Sequence, residues 1–170
     1  MPFIVTAVVL VFLLCLVNLT LTYGVIRRLR QADATVTAPR RSADHLAAAG
    51  SVVGAFAATT VDGARISPAG FTAPTLVGFF APGCAPCTEL LPAFLVAATD
   101  RSALAVVDDG ANDAEYVARL SAVGPVVRAE QAALLVDAFG VTGFPAVCLV
   151  GAGGVILDTG AHLLAEPVPA

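Results

Sequence analysis

Apolar and polar positions fall into three regimes along the chain. From Phe3 to Ile26 no charged residue occurs, and Thr6, Asn18, Thr20 and Thr22 are the few polar interruptions. At 1.5 Å per helical residue such a run can cross a hydrocarbon core about 30 Å thick. The pattern predicts that residues 1–30 form a transmembrane anchor, with 3–26 in the bilayer. A secretory signal peptide is the rival, but its apolar stretch is shorter and follows a basic start, and no Lys or Arg precedes this one. Residues 31–50 mix Ala, Thr, Arg, Ser and Asp around Pro39 with no sustained helical or alternating apolar period until His45 to Ala49, and read as a tether. From residue 51 to 170, short apolar runs trade places with amphipathic ones, which predicts a single α/β domain.

Within that domain Val52 to Thr60 and Ala64 to Ile66 read as two strands turning at Asp62-Gly63. Thr75 to Phe80 is a short apolar run with two aromatics, the signature of a buried strand, and Ala81-Pro82-Gly83 stops it. Cys84 to Thr99 has helical spacing with Leu90, Leu91, Phe94, Leu95 and Ala98 on one face, and Pro92 would bend it. Ala103 to Val107 is the next strand and Asp113 to Ala122 the next helix, with Tyr116, Val117 and Leu120 turned inward. Val126 and Val127 make another strand, and Glu130 to Phe139 a helix closed by Gly140. Ala146 to Val150 and Val155 to Leu157 form a last hairpin across the glycines of 151–154.

The composition, 58% hydrophobic and 13% charged, is more apolar than a soluble domain's and fits the anchor. A net charge of -4 offers no basic surface, so nucleic acid is not an expected partner. Cysteines stand at 15, 84, 87 and 148, and only Cys84 and Cys87 are close neighbours. Cys15 falls in the apolar span and Cys148 in a strand, where each reads as a small apolar residue.

A thiol attacks a disulfide as its thiolate, and a helix N-terminus stabilises that charge through unpaired N–H groups and the helix dipole. With the helix opening near Cys84, that residue is placed as the attacking thiol, and Cys87, one turn on, as the resolving one. Pro86 stiffens the short loop and contributes no N–H. A zinc site would need two more ligands, and His45 and His162 lie at opposite ends of the domain, so no metal is assigned. A purely structural bridge across so short a loop would gain little from chain entropy.

Residues from Ser51 to Thr159 resemble the thioredoxin superfamily, and within it the TlpA/ResA-like and MauD-like membrane-anchored thiol-disulfide oxidoreductases. The resemblance is carried by the strand Thr75 to Phe80, Phe79-Phe80-Ala81-Pro82-Gly83 before Cys84-Ala85-Pro86-Cys87, and Pro92 five residues after Cys87. It is carried further by Gly140-Val141-Thr142-Gly143-Phe144-Pro145 before an apolar strand. It implies a central mixed sheet with flanking helices, a cis peptide at Pro145, and a Phe144 backbone turned toward the cysteines for a substrate strand. Pro82 would support the motif. The extra strand and helix between Cys84 and Pro145 fit the central insertion of the TlpA-like branch. Three departures stand out: Gly83 replaces the usual Trp, Gly78 stands where many thioredoxins bury an Asp, and the chain after Gly160 is too short for the usual last helix. Glu89 is then a candidate proton acceptor for Cys87, set against the plainer reading of a solvated helix glutamate.

The expected activity is thiol-disulfide exchange with protein substrates, served by an upstream electron donor or acceptor and needing no cofactor. A non-catalytic, MauD-like maturation factor for a disulfide-rich partner is the alternative. Peroxide reduction would need a peroxidatic Cys with a neighbouring Thr or Ser and an Arg, and copper delivery a His in the loop that neither His occupies. Arg27, Arg28 and Arg30 after the span favour a cytoplasmic domain, whereas disulfide chemistry in anchored proteins favours the outer face; the outer face ranks first.

Overall fold

The computed structural model describes Phe3 and residues 45–110 and 113–165. The expected anchor over 3–26, apart from Phe3, and the tether as far as residue 44 lie outside the described residues. Among those described, no helix is long and apolar enough to cross a membrane. The chain divides into two units, Met1–Thr37 and Ala38–Ala170, and the fold set out below belongs to the second.

Strand β3 (Thr75–Phe80) is the centre of the domain and is buried from Leu76 to Phe80. On one side it pairs in parallel with β4 (Ala103–Val107), which pairs in parallel with β5 (Val126–Arg128). On the other it pairs antiparallel with β6 (Ala146–Val150), which pairs antiparallel with β7 (Ile156–Thr159). The sheet order is β5-β4-β3-β6-β7. The runs that feed its middle are continuous in Val, Leu, Phe and Ala because both faces are covered, which is why they read as unbroken apolar segments.

Alternation along each strand sends successive side chains to opposite faces. Val77, Phe79, Val106 and Cys148 pack with Leu135 and Phe139 of helix α3 (Glu130–Phe139). Leu76, Phe80, Val107 and Val147 pack instead with Leu91 and Phe94 of α1 (Ala85–Thr99) and Leu120 of α2 (Asp113–Leu120). The central mixed sheet with helices on both sides is therefore present. Phe79 meets Phe139 edge-on at 5.1 Å, and Phe80 meets Phe94 edge-on at 5.1 Å. Fully buried side chains of this kind contribute about 1.5–3 kcal/mol each by transfer from water.

Two expectations are corrected. The strand read over Val52 to Thr60 is only Ala58–Thr59 (β1), paired with Arg65–Ile66 (β2) apart from the main sheet. Upstream, the backbone bonds elsewhere: Val53 N–H donates to Gly154 O at 2.9 Å and Gly54 N–H to Ala138 O at 2.7 Å. The segment makes one isolated antiparallel bridge, Val52 to Val155, and is otherwise held across the ends of other elements. The folded body also starts ahead of Ser51, since Leu46 is buried and Ala47 N–H donates to Phe139 O at 3.1 Å. After β7 the chain makes a short 3-10 turn, Ala161–Leu164, where the longer fold would place a helix.

Candidate active site

The turn that leaves β3 decides the site. Gly83, at φ +85, takes a left-handed conformation that other residues enter only at a cost, and it delivers Cys84 to the start of α1. Cys84 is the N-cap, with φ -81 and ψ 117, and its N–H donates to Ala81 O at 3.2 Å. Ala85 and Pro86 open the helix, where a missing proline N–H costs nothing. Pro82 packs against the loop after β4, close to Gly110.

Cys84 is half-buried and Cys87 is fully buried, and both are free thiols. Burial, and next a hydrogen bond given to the Cys84 sulfur, push the Cys87 thiol up from 9.0 to about 12, although the Ala81 backbone favours its thiolate. Cys87 is thus a proton-holding donor beside a more accessible sulfur. The Cys84 Sγ–H in turn points to Phe144 O at 3.8 Å. The Phe144–Pro145 peptide is cis, and the loop entering β6 lays the Phe144 carbonyl against Cys84.

Gly78 on β3 has a packing reason to lack a side chain. A Cβ there would sit 2.5 Å from Phe94 Cε2 and 2.8 Å from Phe80 Cε2, so the two rings occupy the space a carboxylate would need. Glu89 is exposed on α1 while Cys87 is fully buried, and residues two apart on a helix do not face each other. The geometry therefore matches the solvated-glutamate reading and does not bring Glu89 to Cys87.

Cys148 lies on β6 opposite Val77, in the core on the α3 side, and burial pushes its thiol up. The sheet itself separates it from Cys84 and Cys87. Among the described residues, no three His, Cys, Asp or Glu side chains gather as a metal site.

Two residues escaped the sequence reading. Thr88, four positions after Cys84, donates from its N–H at 3.1 Å and its Oγ1 at 3.3 Å to Cys84 O. Its Oγ1 lies 3.0 Å from the Tyr116 hydroxyl of α2. Tyr116 showed its inward face in the pattern of α2, but nothing in the spacing announced a partner 28 positions earlier.

A five-stranded mixed sheet, a CxxC pair at the head of the helix after its central strand, and a cis-proline loop facing that pair together make this a thioredoxin-like domain. Solved structures share the fold. A thiol:disulfide interchange protein from Bacteroides sp. is 21% identical with a TM-score of 0.55, over 69% of this chain and 86% of that one. A candidate thioredoxin from Neisseria meningitidis is 28% identical with a TM-score of 0.52, over 63% and 77%. A thio-disulfide isomerase from Thermus thermophilus is 16% identical with a TM-score of 0.56, over 66% and 85%. No protein-family model matches the chain, and no curated protein sequence matches it either.

Proposed function

We propose that the chain is a membrane-anchored thiol-disulfide oxidoreductase that exchanges disulfides with protein substrates through Cys84 and Cys87. One observation carries this: a half-buried thiol caps a helix and faces the Phe144 carbonyl, and a second, fully buried thiol follows one turn on. The similar solved structures described as thiol:disulfide interchange and thio-disulfide isomerase proteins support the same chemistry.

In the reducing direction the Cys84 thiolate attacks one sulfur of a substrate disulfide. The substrate S–S bond breaks, a Cys84–substrate disulfide forms, and one substrate thiolate leaves. Cys87 then gives up its proton, which the departing substrate thiolate can take, and attacks Cys84 Sγ. The 84–87 bond closes, the second substrate thiolate is released, and two electrons have passed from the dithiol to the substrate. An upstream donor restores the dithiol, and an acceptor would run the cycle as an oxidase. No cofactor is required, since the sulfurs carry the electrons.

Phe144 and the cis Pro145 form the substrate edge: the Phe144 carbonyl that now faces the Cys84 thiol can accept from an extended substrate backbone. Pro82 and Pro86 hold the loop on either side of Cys84. Residues 3–26 tether the domain to the membrane, with the domain on the outer face.

Cys87→Ser removes the resolving sulfur and is expected to leave a mixed disulfide on Cys84, seen as higher-mass adducts that dithiothreitol releases. The same membranes carrying Cys84→Ser/Cys87→Ser should show none. Absence of the adduct at wild-type protein levels would overturn the enzymatic reading in favour of a non-catalytic maturation factor. Labelling of Cys84 in intact cells by a membrane-impermeant maleimide tests the outer-face placement, and labelling only after lysis would put the domain inside.

A further inference from the structure

We infer that Tyr116 is a positioning residue of the redox centre, acting through the Thr88 hydroxyl to hold the Cys84 backbone in the conformation from which the 84–87 disulfide closes. The inference rests on the function proposed above and gives α2 a part in it.

The hydrogen count fixes the direction of the chain of bonds. A threonine hydroxyl has one hydrogen, and Thr88 gives it to Cys84 O at 3.3 Å. The Tyr116 hydroxyl, 3.0 Å away, must then be the donor to Thr88 Oγ1. The tyrosine ring has little freedom to swing. It is 8% exposed and lies 6.5 Å from the Phe80 ring at 47°, against the strand that leads into the motif. A rigid hydroxyl on α2 thus orients the Thr88 hydroxyl, and that hydroxyl, together with the Thr88 N–H, pins the Cys84 carbonyl.

The carbonyl matters because Cys84 is the N-cap, outside the regular helix and without a side-chain cap of its own. Pinning its oxygen fixes ψ of Cys84, and with it the root of the Cys84 side chain relative to the fully buried Cys87. A disulfide tolerates little error in Cβ separation and torsion. A dithiol already held near bridging geometry loses less freedom when the bond forms, which is the origin of high effective concentration in intramolecular reactions. Loosening Cys84 should therefore disfavour the bridge relative to the dithiol. Loss of one hydrogen bond in such a chain is worth roughly three- to tenfold in an equilibrium constant.

The full chain in detergent is equilibrated with glutathione. The dithiol and one glutathione disulfide give the 84–87 disulfide and two glutathione thiols: one S–S bond forms, one breaks, and both protons finish on glutathione. Tyr116→Phe, which removes only the hydroxyl, and Thr88→Val, which keeps the shape, are each expected to lower this constant roughly three- to tenfold. Thr88→Ser should restore it, and Tyr116→Phe/Thr88→Val should be no worse than Thr88→Val alone. Urea denaturation of the same proteins separates the tie from general stability, because a merely structural role would lower the midpoint and leave the constant unmoved. An unchanged constant in Tyr116→Phe, or additive losses in the double variant, would overturn the tie while wild-type exchange leaves the proposed function standing. A wild type that forms no 84–87 disulfide at any glutathione ratio would remove the function and the tie together.

Discussion

The two thiols of the motif differ by burial more than by sequence. Cys87 is sealed on the inner face of α1 and its thiol is pushed up to about 12, so the native dithiol keeps a proton that the unfolded chain, titrating near 9.0, gives up first. Its stabilisation is complete below pH 9 and is lost as pH rises toward 12, because there the unfolded state binds fewer protons than the native one. Urea midpoints of the reduced protein should hold steady up to pH 9 and then fall, more steeply than those of Cys87→Ser; Cys148 shifts in the same sense and is common to both. Gly78→Asp, which would put a carboxylate where many thioredoxins have one, meets the Phe80 and Phe94 rings and is expected to cost about 1–3 kcal/mol in urea denaturation. The place of Cys84 and Cys87 at the head of α1 was legible from their spacing after an apolar strand, and the cis bond before Pro145 from the resemblance of its loop. The partnership of Thr88 with Tyr116 was not, because it exists only after α1 and α2 have packed on one face of the sheet.

Elements buried on both faces, or along one full stripe, were readable from their apolar pattern. β3 and β4 match the expected bounds, and α3 ends as read, with Gly140 at φ +62 in the left-handed cap. The stretch before β1 misled for a physical reason: Val53 and Phe56 are apolar because they pack on the cluster around Phe139 of α3, and a strand ladder along the segment is not needed to bury them. The entrance to α3 offers a contrast with its exit. Ala129, at φ +53, holds a conformation that favours glycine, and its Cβ is a liability there. Ala129→Gly is expected to raise stability by up to about 1 kcal/mol, whereas Gly140→Ala should lower it by about 1 kcal/mol; chemical denaturation of the pair measures both.

At the scale of the whole domain, the segment from His45 to Gly50 acts as a clasp. Its backbone bonds reach three distant places: besides Ala47 to the end of α3, Gly50 N–H donates to Ile156 O at 2.8 Å, and His45 O accepts from Thr142 N–H at 2.9 Å in the loop that carries Phe144 and Pro145. A chain begun at Ser51 loses these bonds and the burial of Leu46, and is expected to be about 2–4 kcal/mol less stable than one begun at Ala38, read from urea unfolding. Only a hint of this showed in the sequence, where residues 31–50 carry no sustained apolar period until His45 to Ala49. Cys148 shows the same dependence on assembly from the other direction, since only the finished sheet puts it on the face opposite the motif. The sheet works as a partition: among the described cysteines, the two of the motif share one side and Cys148 sits across it, so within this folded body a bridge has a single place to close.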